Sequence, residues 1–121
     1  MMPDSDAKPQ TTIPPAMAVV KLYDLVLGHM AEAARHATGG DIGAQAREIQ
    51  AAVTILSGLD SCLDMQAGGQ VASNLRDMYQ SMARTLQGAV GQPDAVLICE
   101  KLAEGFRQTR DAWAESAGAA V

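Results

Sequence analysis

The chain has 121 residues, 48% of them hydrophobic and 19% charged, with a formal net charge of −5 and a pI near 4.8. This length suits one compact domain and excludes two independent cores. Scattered Lys and Arg argue against nucleic-acid binding, which needs a basic patch, and an acidic balance argues against adsorption to anionic membranes. No apolar run approaches the roughly 18 residues of a membrane span, and the N-terminus lacks an apolar signal region, so a soluble cytoplasmic protein is expected.

The N-terminal residues differ in composition from the rest of the chain. Residues 1–14 are rich in Pro, Asp, Thr and Gln and are predicted to form a flexible arm. A bundle domain is predicted at residues 15–117, followed by a frayed tail at 118–121. Its first helix should span about Pro15 to Thr38, because Pro fits the first helical turn and Gly39-Gly40 ends it.

Apolar residues at helical spacing predict three further helices. The second spans about Ile42 to Met65 with Asp41 as its N-cap, the third about Gln70 to Val90, and the fourth about Asp94 to Ser116. Gly68-Gly69 is predicted to break the second helix and set the turn into the third. Helices of similar length joined by short turns predict an all-α, antiparallel up-down four-helix bundle.

Side chains that carry chemistry form no recognisable catalytic or metal set in the sequence. Cys62 and Cys99 lie far apart without a CxxC spacing, which predicts two free, buried thiols. The Glu-x-x-His pairs of di-iron bundles, the GxSxG motif and the Gly-rich phosphate loop are absent, so no cofactor, metal site or catalytic residue is expected. The enzymatic alternative is a histidine phosphotransfer domain, also a four-helix bundle, with His29 or His36 as nucleophile.

The second and third helices carry more apolar residues than one core stripe needs. Ala51, Ala52 and Ile55 are rotated away from the main stripe of the second helix, and Met78 and Tyr79 are adjacent on the third. One interpretation is an exposed groove for an amphipathic partner helix. The other is a broad core stripe, which bundle helices also use, and periodicity is compatible with both.

Several short motifs stand in a fixed order along the chain: Leu22-Tyr23-Asp24, Leu63-Asp64, Gly68-Gly69, Asn74-Leu75, Met78-Tyr79 and Arg110-Asp111-Ala112-Trp113. Each motif is weak by itself, but together they resemble the flagellin export chaperones of the FliS family. The resemblance covers about residues 16–114. It implies a four-helix bundle and a cytoplasmic chaperone without enzymatic activity.

The resemblance also implies the partner. Family members bind the C-terminal segment of newly made flagellin, prevent its premature polymerisation and hold it for export through the flagellar type III apparatus. Other flagellar export components are further expected partners. A second copy that fills the empty groove would give a homodimer, and a bundle chaperone for another secreted cargo remains an alternative.

The resemblance and the surplus apolar positions together give a candidate partner-binding set on the second and third helices. It consists of Ile49, Ala52, Val53, Leu56, Leu75, Tyr79, Met82 and Leu86. In the arm, Ile13 is the candidate residue that covers the groove when cargo is absent.

Overall fold

The computed structural model describes residues 15–119, and within that range the chain forms four helices and no strand. The helices are α1 (Pro15–Thr38), α2 (Ile42–Ser61), α3 (Met65–Ala89) and α4 (Ala95–Ala119). α1 packs against α2 and α4, α2 packs against α3, and α3 packs only lightly against α4. The predicted all-α, antiparallel up-down bundle is confirmed, while the predicted arm at residues 1–14 lies outside the described residues.

Two connections at one end of the bundle are held by backbone-directed hydrogen bonds. After α1, Gly40 adopts a positive φ of 76°, and the Asp41 carboxylate then accepts the Ala44 N–H at 3.0 Å to start α2. After α3, Gly91 has a φ of 77° and donates its N–H to the buried Gln45 side chain at 3.3 Å. Gln45 therefore ties the α3–α4 turn to α2.

The chain reverses between α2 and α3 earlier than the sequence suggested. α2 ends at Ser61, and the Asp64 carboxylate accepts the N–H groups of Gln66 and Ala67 at 3.2 and 2.9 Å, which starts a new helix at Met65. The predicted end of the second helix at Met65 is therefore wrong, because an aspartate cap begins α3 before the glycines are reached. The predicted break in helical geometry does occur at Gly69, whose φ of 53° and ψ of −130° kink α3.

Three aromatic rings form the centre of the core. Tyr23 of α1 stacks on Phe106 of α4, with centroids 4.2 Å apart and planes 5° from parallel. The Tyr23 ring meets the edge of Tyr79 on α3, and the two hydroxyl oxygens lie 2.6 Å apart in a buried hydrogen bond. Burial raises the pKa of both tyrosines, because a phenolate there would lose its hydration.

The two cysteines lie in different environments. Cys99 on α4 is buried, as predicted, and its burial raises the pKa of the thiol, which disfavours the reactive thiolate. Cys62 is exposed, so the prediction of a buried thiol there is wrong. The reason is the early end of α2 at Ser61, which places Cys62 in the turn instead of on a core-facing helical position.

Tyr23 and Tyr79 are the only two tyrosines of the chain, so phenolate absorbance reports on this hydrogen bond alone. The folded protein should show no phenolate absorbance step near the usual tyrosine pKa of about 10, whereas the denatured chain should titrate there. Above about pH 10 the unfolded chain loses these protons and the folded chain keeps them. The free energy of unfolding should then fall by up to about 1.4 kcal/mol per pH unit for each tyrosine.

The measurement is an alkaline absorbance titration, paired with urea denaturation on both sides of the usual tyrosine pKa. The Tyr23→Phe/Tyr79→Phe double variant is the control and should lose the tyrosine part of this alkaline dependence, keeping the part that comes from the buried Cys99 thiol. An ordinary tyrosine titration in the folded wild-type protein would contradict the prediction.

Candidate functional site

An apolar cavity of about 400 Å³ opens at the end of the bundle where α2 turns into α3. We call it the corner groove. α1 and α4 complete its walls on the other side of the bundle end. Its main apolar lining residues are Val19, Leu63, Val71, Leu75, Tyr79 and Trp113.

Two other cavities have a different character. One of about 380 Å³ lies between α1 and α4, where Glu100 and Arg107 bring charge to its wall. A smaller one of about 240 Å³ lies between α2 and α3, where Asp60 and Arg84 do the same. The corner groove has an almost wholly apolar wall with Asp64 as its single charged lining residue, which makes it the best candidate for binding apolar side chains.

α3 supplies one continuous side of the corner groove. Val71, Leu75 and Tyr79 follow one another at a spacing of four, so they lie on the same face of the helix. Val71 is 67% exposed at the mouth, Leu75 is half-buried, and Tyr79 is 2% exposed at the floor. The floor is held in place by the hydrogen bond between the hydroxyls of Tyr79 and Tyr23.

α4 brings Trp113 to the groove, and an ion pair with α1 fixes that part of α4. Arg110 donates from Nε and Nη2 to the two carboxylate oxygens of Asp24 at 2.8 and 3.2 Å. Hydrogen bonding from Arg110 lowers the pKa of the Asp24 carboxyl. The pair explains two motifs that lie far apart in sequence: Leu22-Tyr23-Asp24 and Arg110-Asp111-Ala112-Trp113 meet at the α1–α4 contact.

The two sides of α3 are held with unequal strength. Toward α2, Asp60 accepts from Arg76 Nε at 3.1 Å and from Gln80 Nε2 at 3.4 Å. Toward α4, the polar contact is a weak one from Thr109 Oγ1 to the sulfur of Met78 at 3.7 Å. The α3–α4 seam is therefore the least tightly packed side of the bundle, and the corner groove lies at its end.

The structure places most of the sequence-predicted partner-binding residues in the core. Leu75 is half-buried, and Leu75 and Tyr79 both line the corner groove. The remaining six are buried among the other core side chains: Ile49, Ala52, Val53, Leu56, Met82 and Leu86. Ala51 and Ile55, the surplus positions of α2, are half-buried at the bundle surface.

Of the main apolar lining residues, four are outside the predicted set: Val19, Leu63, Val71 and Trp113. A usable signal existed for Val71, which precedes Leu75 by one helical turn and so shares its face. For Val19 and Trp113 the sequence held no comparable signal. Their place in the groove depends on how the first and last helices meet at this end of the bundle.

The two histidines considered as nucleophiles lie beside charged side chains of opposite sign. His29 Nδ1 lies 2.8 Å from the Glu48 carboxylate across the α1–α2 contact, and that negative charge would repel a phosphoryl group. His36 lies beside the Arg35 side chain at 3.4 Å. Within residues 15–119, no group of three or more His, Cys, Asp or Glu side chains is placed to hold a metal ion. No helix in this range combines the length and apolar character that crossing a bilayer requires.

Comparison with known proteins identifies relatives of this chain. The profile of the family described as "Flagellar protein FliS" matches residues 5–120. The chain is 30% identical over 101 residues to the flagellar secretion chaperone FliS of Salmonella typhimurium, over 78% of this chain and 75% of that protein. It is also 30% identical over 74 residues to the flagellar secretion chaperone FliS of Vibrio cholerae, over 61% of this chain and 54% of that protein.

The Asp24–Arg110 pair should make a small, pH-dependent contribution to stability. A double-mutant cycle with Asp24→Asn and Arg110→Gln, measured by urea denaturation, should give a coupling of less than about fivefold in the unfolding constant, as for other partly exposed pairs. Because the pKa of Asp24 is lowered in the folded chain, the coupling should be present at neutral pH and lost as the pH falls through that lowered pKa. A coupling that persists undiminished at about pH 2, well below the usual aspartate pKa, would contradict this.

Proposed function

This chain belongs to the FliS family of flagellar secretion chaperones, and we propose that it binds the C-terminal segment of flagellin through the corner groove. In this proposal the cytoplasmic complex keeps flagellin from polymerising early and holds it ready for the flagellar type III apparatus. The observation that carries the proposal is the groove itself, an apolar cavity whose wall rises along α3 from buried Tyr79 to exposed Val71.

An amphipathic helix is the form of cargo that suits this surface. Side chains at a spacing of three and four on one face of the cargo would follow Val71, Leu75 and Tyr79 into the groove. Folding of a disordered segment on binding typically buries roughly 1,000–3,000 Å² and costs about 2–5 kcal/mol of ordering. Since the groove occupies only one end of the bundle, the contact is proposed to continue along the loosely packed α3–α4 seam.

The chemistry of the proposed function is binding alone. Cargo would be captured and released according to the binding equilibrium alone. The apolar wall of the groove provides the favourable term, because cargo side chains that contact it are removed from water. Among the buried members of the predicted set, Leu56 would support the groove from beneath, because it lines the α2–α3 cavity together with the floor residue Tyr79. Phosphotransfer through His29 is not favoured, because the Glu48 carboxylate lies against its ring.

The arm is proposed to cover the corner groove when cargo is absent. α1 begins at Pro15, and Val19, one turn later, lines the groove, so the chain that precedes α1 starts beside it. Ile13, the proposed covering residue, lies outside the described residues. A second copy of the chain is the competing occupant, and it would make the free protein a homodimer.

Binding can be followed through Trp113, which is the only tryptophan of the chain and lines the groove. A synthetic peptide from the flagellin C-terminus should shift its fluorescence at micromolar concentration. Val71→Asp should weaken binding by at least about tenfold, since cargo contact would bury an unpaired carboxylate. Leu97→Asp is the matched control, because Leu97 is also more than half exposed and lies on a face of α4 turned away from Trp113.

Three outcomes decide between the candidate functions. Binding that is lost in Val71→Asp and kept in Leu97→Asp supports the proposal. Equal loss in both variants would assign the contact to another surface. No binding by the folded wild-type protein would overturn flagellin as the cargo, and affinity capture from the native cell extract would then identify another secreted partner.

Removing residues 2–14 should raise the affinity for the peptide, because the arm would no longer compete for the groove. The gain is expected to be a few-fold, as for removal of a weak competing state. Isothermal titration with the full-length and shortened chains measures it, and sedimentation of both chains without peptide reports whether a second copy occupies the groove. An unchanged affinity with a monomeric shortened chain would exclude the covering role of Ile13.

A further inference from the structure

One wall of the corner groove is a single helical turn, Met65–Gly68, which we call the wall turn. Asp64, Ala67 and Gly68 line the groove along this wall. The hydrogen bonds that define the turn start at Asp64: its carbonyl accepts the Gly68 N–H at 2.7 Å, and its carboxylate accepts from Gln66 and Ala67. These hydrogen bonds all connect Asp64 to residues 66–68, so they do not attach the wall turn to the other helices.

Gly69 separates the wall turn from the rest of α3. Its φ of 53° and ψ of −130° lie outside helical geometry, in a region that suits glycine and strains L-residues. A Cβ at this position would meet nothing within 4 Å, so the need for glycine there comes from the backbone and not from crowding. Because glycine has a broad range of allowed backbone angles, Gly69 is the position at which the wall turn and the rest of α3 could change their relative orientation.

The wall turn has few contacts that hold it against the bundle. Gln66, Ala67 and Gly68 are exposed, and Met65 is half-buried. Segments with few buried apolar contacts and exposed backbone open locally at a small fraction of the global free energy of unfolding. The rest of α3, by contrast, is anchored in the core by Tyr79 and Leu86.

The wall turn covers part of the apolar lining. Gly68 lies so close to Ala72, a groove residue of α3, that a Cβ on Gly68 would come within 2.6 Å of the Ala72 Cβ. Ala72 is 3% exposed as a result of its packing. An outward movement of the wall turn would uncover this side chain and widen the groove for a cargo helix.

We propose that the wall turn pivots at Gly69 and moves outward when a flagellin helix enters the corner groove. The inference rests on the proposed function for the identity of the occupant. In the free chaperone the closed wall turn keeps part of the apolar lining covered. The wall turn then opens before or during cargo binding. The fraction of chaperone molecules with an open wall turn therefore contributes to the observed affinity for the cargo.

A variant that locks the joint tests this inference. Gly69→D-Ala favours the observed positive φ, because it is the mirror image of an L-residue in the allowed extended region. It can be made by native chemical ligation at Cys62, with a synthetic segment for residues 62–121. Gly88→Ala, made the same way, is the matched control, since Gly88 lies in the same helix and its added Cβ also meets nothing within 4 Å.

Hydrogen exchange of the free proteins is the first measurement. In the wild-type chain, the amides of Gln66, Ala67 and Gly68 should exchange much faster than those around Tyr79. Gly69→D-Ala should slow the wall-turn amides by about two- to fivefold, the usual effect of removing glycine freedom at a compatible site. Gly88→Ala should leave them unchanged. Wall-turn amides as protected as the α3 core, or unaffected by the lock, would overturn the inference.

Cargo affinity is the second measurement. If only the open wall turn admits the flagellin peptide, the lock should weaken binding by the same factor by which it slows exchange. Unchanged affinity alongside slowed exchange would show that the wall moves but does not control entry, which also overturns the inference. If the wild-type protein does not bind the peptide, the proposed function fails, and the exchange data still decide whether the joint moves.

Discussion

The bundle depends on the buried contact among Tyr23, Tyr79 and Phe106. α1 and α3 lie diagonally across the bundle, and the hydrogen bond between the two tyrosine hydroxyls joins them through the core. Phe106 stacks on the Tyr23 ring and brings α4 into the same contact. In a chain with one phenylalanine and one tryptophan, most core contacts are made by aliphatic side chains and methionine. Aliphatic contacts are not directional, so the hydrogen bond between the two tyrosine hydroxyls is what fixes the relative position of α1 and α3 within this core.

The two ends of the bundle differ in how their connections are held. At one end, Gln45 binds the Gly91 turn and Asp41 caps α2, so both connections are tied to neighbouring helices. At the other end, the Asp64 cap is local, Gly69 interrupts α3, and an apolar cavity remains. Under the proposed function, the end with tied connections maintains the fold, and the end with the cavity is the one that binds the partner.

The fold was predictable from sequence because its signals are periodic and local. Apolar spacing and matched helix lengths were sufficient for the four-helix bundle, and Asp41 was correctly read as a cap. The α2–α3 turn was misplaced because Asp64 and Gly69 are both valid helix-end signals, and only the structure shows that the aspartate acts first. Periodicity also does not separate a core stripe from a binding stripe, so the predicted groove or groove-adjacent set includes the buried core residues Ile49, Leu56 and Leu86 beside the groove residues Leu75 and Tyr79. Trp113 and Val19 reach the groove only through tertiary packing.

The stacking of Tyr23 on Phe106 has a consequence for how this protein is made. The two residues are separated by most of the chain, so the first helix emerges from the ribosome long before its main aromatic partner exists. Translation adds about 5–20 residues per second, so for several seconds Tyr23 has α2 and then α3 to pack against, but not α4. The bundle therefore completes its core only once the last helix is released. The corner groove is likewise complete only after that release, because its wall includes Trp113 of α4.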